Sequence, residues 1–328
     1  MKKLLSLLVA LMMILTLGAC SSKTDETAGG EPAVSEEKAA YVVGIVQLVQ
    51  HPALDAATQG FKDAIAASGL TVEFKEGNAS GDSANCSTIV AGFLSDGVDL
   101  IMANATAALQ AATAATSDVP ILGTSVTDYA TALDISDWTG TVGTNVSGTS
   151  DLAPLADQAA MIEELFPEAK NVGILYCSAE ANSVYQATVM KSELEAKGYT
   201  VENYSFTDTN DVTAVTEKAC EGSDVIYIPT DNAAASNTEA IANVVLNAGV
   251  PVVAGEEGIC SGCGVATLSI SYYDLGYQTG EMAVEVLKGG DISKMEIKYA
   301  PKVTKEYNAA NAEAMGIAIP ADYVAIEG

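Results

Sequence analysis

Val42-Val43-Gly44-Ile45-Val46 and Asn171-Val172-Gly173-Ile174-Leu175 are two apolar runs with a glycine at the same place. Each is followed by a loop and an amphipathic stretch with helical spacing, Leu54 to Ser68 and Ala181 to Lys197, and each stretch stops at a glycine, Gly69 and Gly198. Alternating strands come next, Thr71-Val72-Glu73-Phe74 and Thr200-Val201-Glu202-Asn203-Tyr204. The echo continues through a second helix into Val98 to Met102 and Ser223 to Tyr227. After a third helix it reaches Val119-Pro120-Ile121-Leu122-Gly123 and Val250-Pro251-Val252-Val253-Ala254-Gly255. Strand and helix thus alternate in the same order twice, at an offset of roughly 130 residues. Apolar strands alternating with helices predict parallel sheets covered on both faces. Right-handed crossovers make each half a doubly wound, Rossmann-like α/β lobe.

Ligands of such sheets sit beyond the carboxyl ends of the strands, and two facing lobes close a cleft there. The loops at those ends are rich in hydroxyls, amides and carboxylates. They span Gln47 to Asp55, Asn104 to Thr106, Gly123 to Asp128, Cys177 to Ser183, Thr230 to Asn232 and Gly255 to Glu257. None carries the Gly-rich pattern of a nucleotide cradle, which favours a small polar or zwitterionic ligand.

The amino-terminal segment sets the expected compartment. Met1-Lys2-Lys3, an apolar run to Leu17, and Leu17-Gly18-Ala19-Cys20 read as a signal peptide over 1–19 ending in a lipobox. The expected product carries a lipid on Cys20. Residues 20–40 then form a polar tether with almost no large apolar side chain. The folded body begins near Tyr41 and has no second run long enough to span a bilayer.

Composition excludes whole classes. The chain has 15 Lys+Arg against 43 Asp+Glu, a net charge of −28, so a polyanion such as DNA is repelled. All of the basic residues are lysine, and no guanidinium is available to grip a carboxylate. The single histidine, His51, leaves little for Ser-His-Asp or Cys-His catalysis, and no Gly-x-Ser-x-Gly elbow is present. Cys260-Ser261-Gly262-Cys263 is a lone C-x-x-C between glycines, expected as a turn with free or locally paired thiols rather than a metal site. No enzyme, metal or cofactor is expected.

Lipobox, tether and duplicated body together resemble the substrate-binding lipoproteins of ABC importers. Gly44-Ile45-Val46-Gln47, His51-Pro52-Ala53-Leu54-Asp55, Gly60-Phe61-Lys62-Asp63, Asp128, Glu180-Ala181-Asn182-Ser183 and Pro229-Thr230-Asp231-Asn232 resemble the branch that binds tryptophan and other aromatic amino acids. Tyr129 stands where many members of that branch carry proline. The resemblance implies a type I periplasmic-binding-protein fold, with three crossovers between lobes that close on a small ligand, most simply an aromatic L-amino acid. It also implies delivery to an ABC permease in the membrane. Lobe 1 is expected over 41–146 plus 266–292, with Ala266 to Ile270 as its fifth strand. Lobe 2 is expected over 147–265 plus 293–328, with Ile297 to Tyr299 on it. A monomer is expected. A sensing or adhesive surface lipoprotein of the same fold is the alternative.

Candidate ligand contacts follow from loop position and from the resemblance. Asp231 can accept an ammonium or cap the helix after it. Asn182 and Ser183, at a helix start, can take a carboxylate or cap that helix. Asn104 and Thr106 occupy the equivalent place in lobe 1. Gln47, Asp55, Ser125, Asn232 and Glu256 complete the set, and Asp128 can reach the ligand or hold a crossover. Glu180 reads as a hinge or cap residue, His51 more readily as structural, Trp138 as either lid or packing, and Tyr272-Tyr273 as mainly core.

Overall fold

The computed structural model describes residues 41–300 and 302–326; the expected signal peptide, Cys20 and tether lie outside them. The first half runs β1 (Tyr41–Gln47), α1 (Pro52–Ala67), β2 (Val72–Asn78), α2 (Ser83–Asp96), β3 (Leu100–Asn104), α3 (Thr106–Ala115), β4 (Ile121–Val126), α4 (Tyr129–Ala132) and β5 (Val146–Ser150). The second half runs α5 (Leu155–Leu165), β6 (Asn171–Cys177), α6 (Ala181–Ala196), β7 (Thr200–Phe206), α7 (Val212–Gly222), β8 (Val225–Ile228), α8 (Asn232–Ala235), α9 (Thr238–Ala248), β9 (Val252–Ala254), α10 (Glu257–Cys263) and β10 (Ala266–Ile270). Then come α11 (Tyr272–Leu287), β11 (Lys298–Tyr299), β12 (Val303–Tyr307), α12 (Ala309–Met315) and β13 (Val324–Ala325).

Two sheets form. The first, β11-β5-β4-β3-β1-β2, is parallel throughout. The second, β13-β12-β10-β9-β8-β6-β7, is parallel except where β10 meets β12. Their central strands are apolar runs buried on both faces, as helix-covered parallel strands must be. The repeated glycine has a packing reason in each half. A Cβ on Gly44 would stand 2.6 Å from the Phe93 ring, and one on Gly173 would press on Tyr204 and Ser223.

The strand assignments differ from the expected boundaries in three places. Val146–Ser150 joins the first sheet beside β4, Ala266–Ile270 joins the second beside β9, and Lys298–Tyr299 returns to the first beside β5. Pairing partners far apart in sequence decide this, and an apolar run of five residues carries no mark of which partner it will find. The chain therefore passes between sheets around Asp151, at Ser271, and between Tyr299 and Val303. Helix α11 lies on α1 in the first lobe; the approach is so close that a Cβ on Gly276 would collide with the Ala57 carbonyl and one on Gly280 with that of Phe61.

The C-x-x-C is helical rather than a turn. Glu256 caps α10 by accepting from the N–H groups of Gly258 (2.7 Å) and Ile259 (2.5 Å), and Cys260 and Cys263 face the apolar core. All five described cysteines are free. Tyr272 is buried while Tyr273 is exposed, and Trp138 packs on the core of the first lobe. No helix among the described residues is long and apolar enough to cross a membrane.

Candidate ligand-binding site

Strand ends from both sheets converge on a small enclosure. His51, Leu54, Ser125 and Thr127 line it from the first lobe; Asn182, Thr230, Asp231, Asn232, Ala235 and Glu256 line it from the second; Asp151 and Tyr272, beside two of the crossings, complete it. Backbone strain marks this end of the first lobe, with Ser125 on the wall itself. Ser125 has φ +55° beside a register shift in β4–β5, and Ala105, between the ends of β3 and α3, has φ +92°. Left-handed non-glycine residues persist where surroundings force them, most often at functional sites. The Ser125 hydroxyl is buried with no partner.

The second-lobe wall rests on carboxylates used as caps. Asp231 accepts from the N–H of Ala234 (2.8 Å) and of Cys177 (2.6 Å). Glu180 accepts from Asn232 Nδ2 (2.6 Å), the Ala233 N–H (2.9 Å) and Asn182 Nδ2 (3.1 Å). These bonds are why Pro229-Thr230-Asp231-Asn232 holds its shape over a helix of only four residues. Glu180 thus acts as a cap, and Asp231 caps from a position on the enclosure wall.

Three acids face this space, Asp151, Asp231 and Glu256, all buried. Burial pushes Asp231 up to about 7, the nearby Glu180 charge adds to it, and the backbone N–H bonds oppose it. Burial likewise pushes Glu256 up to about 7 against its capping bonds. Asp151 is raised by burial against the hydroxyls of Tyr272 (2.9 Å) and Thr127 (3.0 Å). Burial lowers His51 and holds the imidazole neutral. Its Nε2 lies 3.2 Å from Asn232 Oδ1 across the cleft; since Asn232 Nδ2 donates to Glu180, Oδ1 is the acceptor and Nε2 carries the proton. No lysine lines the enclosure. A buried enclosure with three carboxyl groups and no cation on its walls is suited to a ligand that brings a positive charge.

The other expected contacts stand outside the lining. Gln47 donates to Asp55 (2.7 Å) and accepts from Thr58 (2.7 Å), tying α1 to β1 beside a separate recess. Asn104 donates to the Leu54 carbonyl (2.8 Å) and Thr58 (3.0 Å); its Oδ1 and the Thr106 hydroxyl are buried and unpaired. Asp128 caps α4 through the Thr131 N–H (2.7 Å). Ser183 sits behind the lining, where its hydroxyl accepts from the Asn182 amide (3.2 Å). Among the described residues no group of His, Cys, Asp and Glu is arranged to hold a metal.

The family model for ABC transporter substrate-binding proteins matches residues 42–326. The chain belongs to that family. A tyrosine-binding protein of Clostridioides difficile is 33% identical over 303 residues, covering 90% of this chain and 87% of the relative. A Streptococcus pneumonia ABC domain solved in complex with L-Trp is 30% identical, with a TM-score of 0.82 over 86% of this chain and 96% of that one. An open, ligand-free substrate-binding protein with adhesive properties from Clostridium difficile is 34% identical, with a TM-score of 0.68 over 88% of this chain and 99% of that one. Its relatives are substrate-binding proteins, not enzymes. Asp151 and Tyr272 are not among the expected contacts, and Thr127 is so only as part of the loop Gly123 to Asp128. The one sequence signal was the position of Asp151 directly after a buried strand end.

Proposed function

We propose that this substrate-binding protein captures an aromatic L-amino acid by closing its two lobes, and hands it to an ABC permease. The enclosure carries the reading: both lobes contribute walls, three buried acids face it, and no protein cation answers them. An α-ammonium supplies that charge. With no arginine in the chain, the ligand carboxylate is met by neutral donors, of which the unpaired Ser125 hydroxyl is one. The tyrosine-binding relative and the L-Trp complex support an aromatic side chain.

The lobes are read as closed. The fit is better to the L-Trp complex than to the open protein, although the latter is the more similar in sequence. The enclosure itself has only about 10 Å³ free, about one water's worth. It adjoins a recess of about 510 Å³ through Ala235, Glu256 and Tyr272, and one of about 420 Å³ through Asn232. Admitting a ligand therefore requires the lobes to part and reclose with the side chain in one of these spaces.

The Cys20 lipobox supports anchorage at the outer face of the membrane, and the net charge of −28 argues against a nucleic-acid partner. Cys20→Ser is expected to abolish labelled-palmitate incorporation. An additional surface role is favoured by the adhesive relative. The ligand class is tested by a thermal-shift panel of the twenty L-amino acids, sugars and nucleosides. Tyrosine, tryptophan or phenylalanine is expected to raise the melting temperature most; stabilisation by a sugar or nucleoside alone would reject the class.

A further inference from the structure

The three acids on the enclosure are not equivalent. Asp231 Oδ1 takes the Ala234 N–H and Oδ2 the Cys177 N–H. Glu256 Oε1 takes the Ile259 N–H and Oε2 the Gly258 N–H. Each of these carboxylates is held by fixed backbone donors at a helix start, where the aligned peptide dipoles favour a negative charge.

Asp151 has no helix to cap. Its partners on other residues are two hydroxyls, Thr127 Oγ1 on one oxygen at 3.0 Å and Tyr272 on the other at 2.9 Å. A hydroxyl carries no formal charge and rotates to suit its neighbours, so it offsets a buried anion less than a fixed N–H pair at a helix end. Asp151 is 5% exposed and has no lysine against it. A second buried group points to the same ligand: the Ser125 hydroxyl, 6% exposed and unpaired, lines the same enclosure.

Position adds a consequence. Asp151 directly follows β5, where the chain first leaves the first sheet, and Tyr272 opens α11 directly after the second crossing. The bond between them ties two of the three connections that the lobes swing on.

We infer that Asp151 is the counter-ion of the ligand's ammonium group, with Tyr272 as the residue that positions its carboxylate. This rests on the amino-acid reading above. Asp231 and Glu256 then shape the wall, and the charge pair forms on the hinge itself.

The test is calorimetric titration of L-tyrosine and of its deaminated analogue, 3-(4-hydroxyphenyl)propionate, into the purified wild-type protein, Asp151→Asn, Asp231→Asn and Tyr272→Phe. Wild type is expected to prefer the amino acid. Asp151→Asn should weaken L-tyrosine binding by about 30-fold or more while changing the analogue by about twofold at most, so the preference collapses. Tyr272→Phe should lower the preference in part, which loss of packing alone would not do. Asp231→Asn should keep it. Asp151→Asn removes a buried charge and is expected to stay folded; Tyr272→Phe probes the same carboxylate without altering it. A wild-type preference retained in Asp151→Asn, or lost in Asp231→Asn instead, overturns the inference and leaves the amino-acid reading standing. A wild type that binds no amino acid overturns both.

Discussion

His51 and Asn232 stand on opposite lobes, and their side chains meet at 3.2 Å over the enclosure. Asn232 is pinned from behind by Glu180, so its carbonyl oxygen is aimed before the lobes meet. On the lobe closure proposed above, this bond forms only when the cleft is shut. His51→Phe should therefore leave apo melting nearly unchanged and weaken ligand binding by roughly 2- to 10-fold, the worth of one neutral hydrogen bond. Titration calorimetry beside apo melting curves checks this; equal losses in both would mean that His51 serves the fold and not closure.

Asp231 and Glu256 hold their protons more tightly in the folded protein, near 7, than the ordinary 3.8 and 4.5 of such carboxyls. The folded state then binds more protons than the unfolded chain between about pH 4 and 7. The stability they contribute is full below about pH 4, is lost as pH rises through 7, and levels off above. Unfolding free energy of Asp231→Asn/Glu256→Gln minus that of wild type should be largest at pH 8 and shrink as pH falls through 7. A difference independent of pH would place both acids at ordinary values.

The two roles of Asp231 separate by substitution. Asparagine keeps one acceptor oxygen for one of the two N–H groups and removes the buried charge; alanine leaves the N–H groups of both Cys177 and Ala234 without their acceptor. At pH 8 the apo stability order should be Asp231→Asn at or above wild type, and Asp231→Ala about 2 kcal/mol below it. Denaturant melts of the three proteins decide, and an asparagine variant as unstable as alanine would contradict the capping geometry.

Helix α11 is held on α1 through glycines at the contact. A methyl at Gly276 would run into the Ala57 carbonyl, a backbone atom with nowhere to retreat. Gly276→Ala should cost about 1–3 kcal/mol of stability although alanine is the better helix former. An unchanged or raised denaturation midpoint would show that the helices can separate freely.

Much of the architecture was legible because it is local. Strand–helix alternation, the paired Gly44 and Gly173, and the glycine stops at Gly69 and Gly198 all act within a few residues. The sheet membership of Ala266–Ile270 was not, since it depends on β9 against one edge and β12 against the other. Five of the expected contacts, Ser125, Asn182, Asp231, Asn232 and Glu256, do face the enclosure. Asn104 shows the limit of arguing from loop position: it sits at a strand end in the cleft, but its amide nitrogen is committed to the Leu54 carbonyl. Asp151 and Tyr272 lie where the chain passes between lobes, one just after a strand and one at the first turn of a helix, and only the fold shows that they meet.

The most direct measurement is titration calorimetry of L-tyrosine and L-tryptophan into the purified wild-type protein at pH 7.5, with small-angle scattering of the free and saturated forms. At least one of them should bind one to one with a micromolar or tighter dissociation constant, about −8 kcal/mol or more favourable, and the saturated form should be the more compact. An absence of heat and of compaction with every aromatic amino acid, alongside tight binding of a sugar or nucleoside, would contradict the assignment.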